Sequence, residues 1–146
     1  MNFHLIHFKR NRFMIKFPCI IISVLFFSNA FAQAPKPVPT DAGKKVYLKS
    51  CMVCHQADGA GVPGLNPPLG KTDWVTGDKK RLINVVLKGL ENEIEVNGEV
   101  YANPMPAQPQ LTDQEIADVL TYIRKNFGNK ASAVTPAEVK AMRGKQ

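Results

Sequence analysis

Cys51-Met52-Val53-Cys54-His55 is the stretch that most restricts what this chain can become. Two thiols three residues apart, with an imidazole directly behind the second, can clamp a redox group, a metal or each other. The whole chain has three cysteines and three histidines, so this pentapeptide holds most of both. Which clamp applies depends on where the chain goes.

The first 32 residues read as a leader rather than part of a domain. Lys9, Arg10, Arg12 and Lys16 form a positive head without an acidic residue. An apolar run from Phe17 to Phe27 follows, then Ser28-Asn29-Ala30-Phe31-Ala32. Charge, apolar core and a small-residue A-x-A ending form the layout of a cleaved secretory signal, here with cleavage expected after Ala32. A membrane-spanning helix needs ~20 apolar residues, and this run is interrupted after Phe27 by Ser28 and Asn29. Cys19 sits near the start of the run, not at a small-residue processing site, so a lipoprotein reading is weaker. Cleavage removes Cys19, His4 and His7, leaving Cys51, Cys54 and His55 as the only thiols and imidazole of the exported chain. It also removes four of the 19 basic residues, so a formal charge of +7 falls to a small positive excess. No basic stripe interleaved with aromatics remains, which excludes nucleic acid as a partner class and leaves room for a modest electrostatic docking face.

Residues 33–40 (QAPKPVPT) carry three prolines and read as a spacer. From Asp41 the pattern turns helical: Gly43, Val46, Tyr47 and Ser50 share one face, Thr40 or Asp41 is the cap, and the helix runs into the cysteine motif. The Gly- and Pro-rich stretch 59–70 is an irregular loop. Lys79 to Leu90 returns to helix with Leu82, Val85, Val86 and Leu90 on one stripe. Glu93 to Tyr101 alternates around Asn97-Gly98, the pair favoured in a type I′ turn, and predicts a short β-hairpin. Three prolines between Ala102 and Gln110 predict a non-helical loop. Thr112 to Phe127 opens on a capping box, Thr112 with Glu115, exposes Ile116, Val119, Leu120 and Ile123 as an apolar face with Tyr122 beside it, and closes at Gly128. Thr135 with Glu138 marks a last short helix to about Arg143. The expected division is signal peptide 1–32, spacer 33–40, domain 41–128 and a C-terminal tail 129–146 carrying the short helix. A mostly helical core this small commonly leans on a covalent or metal staple.

Three clamps compete at Cys51–His55. A disulfide redox pair belongs in a βαβ setting, and here a helix leads in. A closed zinc site needs four ligands, and the exported chain has no second pair. Covalent attachment of one haem c fits: each thiol adds to one vinyl group of the porphyrin, and the adjacent His55 binds iron. A second axial ligand must then be a soft thioether, since no other histidine remains. Met52 lies inside the attachment motif and Met142 in the charged tail. Met105, in Asn103-Pro104-Met105-Pro106, is the candidate, against the ordinary alternative of core filler.

These residues resemble a class I c-type cytochrome of the small monohaem bacterial kind over roughly Asp41 to Gly128. The resemblance rests on the cysteine motif, the Asn-Pro-Met-Pro loop and the run from Leu111 to Ile123. It implies an all-α cytochrome c fold with about four to five helices around one haem and a short β-hairpin. It also implies that terminal helices cross closely, Gly43 and Tyr47 meeting Val119 and Tyr122. A proline carbonyl after the attachment site, at Pro67 with Pro68 as the alternative, takes the His55 Nδ1 proton. Val53, Leu65, Leu69, Val86, Leu87, Val119 and Leu120 are read as haem shell or plain core. Trp74 is read as a propionate contact or a packing residue.

The function implied is a periplasmic carrier of single electrons, not an enzyme, with His55 and Met105 on the metal and redox proteins as transient partners. No small-molecule substrate is expected, and membrane association only through a partner complex. The alternatives are a cytochrome subunit of a periplasmic dehydrogenase or oxidase complex, or a five-coordinate haem enzyme or gas-binding protein.

Overall fold

A computed structural model describes residues 40–144; the leader and the proline-rich spacer lie outside the described residues. Six helices and one hairpin follow in order: α1 (Thr40–Ser50), α2 (Met52–His55), α3 (Asp73–Thr76), α4 (Lys79–Lys88), β1 (Ile94–Val96), β2 (Glu99–Tyr101), α5 (Asp113–Lys125) and α6 (Pro136–Arg143). The fold is mostly helical, with one small antiparallel pair. Six helices against an expected four to five reflects two single turns, α2 and α3. The signal for α3 was present: the Thr72 hydroxyl accepts from the Val75 N–H as an N-cap.

α1 and α5 pack together as the main helix pair. Gly43 makes that approach feasible, because a Cβ there would stand 2.2 Å from the Asp118 carbonyl oxygen and 2.7 Å from Tyr122 Cβ. One turn on, fully buried Tyr47 stacks with Tyr122 and Phe127, the ring centroids 5.2–5.7 Å apart. Such pairs add about 0.5–1.5 kcal/mol each beyond area burial. The Tyr47 hydroxyl then donates to the Gln56 carbonyl, so the helix crossing is tied to the residue just past His55. Burial of that phenol raises its pKa, as does the nearby Cys51.

Asp78 caps α4, its carboxylate accepting from the Lys80 N–H, and Leu82, Ile83, Val86 and Leu87 are buried. The helix stops at Lys88, not Leu90 as the stripe suggested. Gly89, at φ 75° and ψ −173°, sends its N–H back to the Val85 carbonyl and turns the chain out. The hairpin has the expected register, Ile94 opposite Tyr101 and Val96 opposite Glu99. Asn97 and Gly98 both hold positive φ, as a type I′ turn demands.

α5 opens on the Thr112–Glu115 capping box and buries Ile116, Ala117, Val119, Leu120 and Ile123. Its polar side is buried too: Asp118, Thr121 and Arg124 are at most 7% exposed. The covering element is the segment read from sequence as a tail. Through residue 144 it is built into the core: Val134 and Val139 are fully buried. The Thr121 hydroxyl donates to the Val134 carbonyl and accepts from the Val134 N–H. Arg124 donates to the carbonyls of Val75, Gly77 and Ser132. α6 carries its own Thr135–Glu138 capping box. Lys79–Glu138 at 3.0 Å and Arg143–Asp113 at 2.8 Å fasten it to the N-termini of α4 and α5. The charges suggested a solvated end because their partners lie far away in the sequence.

Candidate functional site

α1 ends at Ser50 and α2 begins at Met52, with Cys51 (φ −118°) as the joint between them. The Cys51 N–H bonds to the Tyr47 carbonyl, and the His55 N–H to the Cys51 carbonyl, so the pentapeptide is one more helical turn. Cys51, Cys54 and His55 are half-buried on it, and neither thiol is in a disulfide. Burial, then the neighbouring Cys54, pushes the Cys51 thiol up to about 11. A redox-active C-x-x-C has its nucleophilic thiol shifted the other way, which counts against the disulfide-exchange reading. Among the described residues no group of three or more His, Cys, Asp and Glu could hold a metal ion, which counts against zinc.

The motif lines a cavity of about 330 Å³. His55 Nδ1 lies 2.9 Å from the carbonyl oxygen of Pro67. A carbonyl only accepts, so Nδ1 carries the proton and Nε2 keeps its lone pair. Burial lowers the His55 pKa, against the opposing effect of the Pro67 hydrogen bond, which favours the neutral, ligating ring. Of the two prolines open in the sequence, Pro67 is the one in contact; Pro68 also lines the cavity.

Met105 lines the same cavity from the loop after β2. Its backbone forms a two-bond antiparallel bridge with Leu90, N–H to carbonyl in both directions at 2.9 Å, and Gln108 N–H bonds the Val86 carbonyl. The thioether is therefore carried by the C-terminal end of α4. Nothing in the local pattern announced that bridge, although Gly89 at the helix end was visible. A second unforeseen tie is Asn129, buried at 4% exposure. Its amide donates to the carbonyls of Leu69 and Ile123 and accepts from the Lys71 N–H, fixing the loop wall to the end of α5.

The rest of the lining is largely apolar: Val75 from α3, Leu82 and Val86 from α4, and Val119, Leu120 and Ile123 from α5. Of the expected shell, Leu69, Val86, Val119 and Leu120 line the cavity, and Val53 does so while 81% exposed. Two do not: Leu65 is 50% exposed in the loop, and Leu87 is buried on the other flank of α4, one residue round from Val86. Trp74 lines the cavity, but its indole N–H donates to the Glu95 carbonyl at 2.9 Å and its ring lies under the Arg81 guanidinium, 4.5 Å away. An apolar chamber presenting two thiols, a neutral imidazole with its lone pair free and a thioether suits an iron porphyrin in every donor it offers.

Comparison with known proteins agrees. The family model for cytochrome c matches residues 40–127. Cytochrome c-552 of Thermus thermophilus is 39% identical over 113 residues, covering 71% of this chain and 86% of that protein. The cytochrome c subunit of the quinone alcohol dehydrogenase of Gluconobacter oxydans (strain 621H) is 39% identical over 106 residues, 70% of this chain but only 22% of that subunit. The gluconate 2-dehydrogenase cytochrome c subunit of Pantoea cypripedii is 37% identical, with 24% of it covered.

Proposed function

The chain belongs to the cytochrome c family, whose members carry electrons on covalently attached haem c, and from that premise we propose an exported, periplasmic monohaem carrier with His55 and Met105 as the two axial ligands. When bound, haem c supplies a one-electron ferric–ferrous couple. The residues divide the remaining work. Cys51 and Cys54 hold the group through two thioethers. Pro67 fixes the tautomer and orientation of His55, raising the basicity of Nε2. The Leu90–Met105 bridge holds the sulfur in place through the redox cycle. Val75, Leu82, Val86, Leu120 and their neighbours exclude water, which together with a thioether favours the less charged ferrous state. With His55 and Met105 both holding the iron, no position would be left for a substrate, so the chain would transfer electrons rather than catalyse chemistry.

The observation that carries the reading is the convergence of His55, its Nδ1 held by Pro67, and Met105 on one apolar cavity. The test is an intact mass and a ferric optical spectrum of the periplasmic protein, with Met105→Ala alongside. One haem added to the chain beginning at Gln33, and a sulfur-to-iron charge-transfer band lost in the variant, support it. A high-spin native spectrum, or a band indifferent to Met105→Ala, overturns the ligand pair.

A second reading, membership of a dehydrogenase complex, is favoured by the matches to dehydrogenase cytochrome subunits. Recovery only in a stoichiometric complex, rather than free in periplasmic extract, would decide for it.

A further inference from the structure

Trp74 belongs to two hollows at once. Its ring lines the cavity beside Val75, and it also lines an outer crevice bounded by Lys80, Arg81, Lys88, Val85 and Leu90. Val85 and Leu90 are shared as well, but of the three only Trp74 is conjugated. The crevice is cationic. Lys80 and Lys88 are exposed, and among the described residues neither is in an ion pair. The acidic residue there, Asp78, already accepts from the Lys80 N–H as the cap of α4. Arg81 is paired with Asp73 through one nitrogen, while its Nε is buried without an acceptor among the described residues. Beyond Trp74, the hairpin region presents the opposite sign: Glu91, Glu93, Glu95 and Glu99 are all exposed.

We propose that this crevice is a docking face for an acidic segment of a redox partner protein, with Trp74 as the aromatic link between the docked partner and the cavity. The proposal rests on the electron-carrier reading above. Carboxylates approaching this side meet two lysines unpaired among the described residues, Lys80 and Lys88, beside the Asp73-paired Arg81 and over an apolar floor. The glutamate-bearing hairpin repels them, so charge sets the orientation as well as the encounter rate. In the docked pair one electron passes between the iron and the partner's redox centre. One is oxidised as the other is reduced, and no bond forms or breaks. Such a patch suits the small, short-lived interfaces of electron-transfer pairs.

The experiment uses the ¹⁵N-labelled ferrous holoprotein at low ionic strength, titrated with hexacyanochromate(III), a paramagnetic trianion that mimics a cluster of carboxylates. The expected result is selective loss of the Trp74 indole N–H signal and of amide signals from 80 to 89. Lys80→Glu with Lys88→Glu abolishes that loss, whereas Lys44→Glu with Lys45→Glu on α1, the same charge change, leaves it. Broadening centred on α1 or on the attachment motif, or unaltered by the crevice pair, overturns the docking face. Concentration-dependent shifts without any anion would assign the crevice to a second copy and overturn the partner. For the link, oxidation of the ferrous protein by ferricyanide should slow several-fold in Trp74→Leu and Trp74→Phe, with oxidation by tris(phenanthroline)cobalt(III) unchanged; equal rates for ferricyanide refute it. The optical spectrum of the same sample, taken before titration, reports separately on the carrier reading.

Discussion

Replacing Gly89 with alanine should loosen the Met105 arm more than any other one-carbon change in the chain. Gly89 sits at φ 75° and ψ −173°, a region that side chains occupy only at about 1–3 kcal/mol. There is also no room. The new Cβ would stand 2.4 Å from the Met105 carbonyl oxygen and 2.8 Å from the Ala107 nitrogen. Relief requires moving the arm away from α4, which breaks the two-bond Leu90–Met105 bridge at about 1 kcal/mol per bond. The sum is about 3–5 kcal/mol, a large share of a typical domain's ~5–15 kcal/mol. Gly98→Ala is the control, because Gly98 also has positive φ (85°) but nothing lies within 4 Å of its Cβ. It should cost only the backbone term, about 1–2 kcal/mol. Thermal unfolding and the ferric sulfur-to-iron band are followed on both. Gly89→Ala is expected to lose the band well below its unfolding midpoint, while Gly98→Ala keeps it to the end of the transition. A Gly89→Ala protein with native stability and an undisturbed band would refute the claim that this glycine positions the sulfur.

Arg124→Met should lower stability by about 3–5 kcal/mol in urea, because three carbonyls lose a charged donor at once; Arg124→Lys should recover part of that, and a loss under 1 kcal/mol would contradict the clamp. Truncation after Ala131 removes the two fully buried valines of the last segment, about 3–6 kcal/mol of burial, and a melting point within a few degrees of the parent would restore the view of residues 129–146 as a dispensable tail. Glu138 is pushed up by burial but held lower, on balance, by hydrogen bonds from the Thr135 backbone, Lys79 and the Thr135 hydroxyl. With a depressed folded pKa its contribution is whole above the unfolded value near ~4.3 and is lost as pH falls through the folded one. Glu138→Gln should therefore flatten the stability curve in that acid range and leave its slope at neutral pH unchanged.

What could be read in advance is what neighbours in sequence decide. Capping boxes at Thr112 and Thr135, the stripe on α5 and the Asn97-Gly98 turn are each settled within a few residues, and each is in place. The attachment motif is equally local. The missed features all close over long separations. Leu90 pairs with Met105, Asn129 reaches Leu69, and Arg124 reaches Val75. A hydrogen bond between a side chain and a distant carbonyl leaves no periodic trace, so nothing in the sequence singles out Arg124 or Asn129. Leu87 stays open between shell and core in the sequence because adjacent helix positions with similar side chains cannot be ranked by hydropathy alone. α3 was overlooked for the opposite reason: a single turn is too short to show a period, and only its cap betrays it.

The two grips on the prosthetic group differ in when they become possible. The backbone hydrogen bonds from Cys51 to His55 run among neighbours in sequence, so on the proposed function haem attachment would not have to wait for the rest of the fold. On the proposed ligand pair, the Met105 sulfur would be set only once the chain turns out of α4 at Gly89 and the later loop pairs with Leu90. Its colour in the visible spectrum is thus a built-in indicator of maturation, separating chains that have merely been loaded from chains that have finished folding.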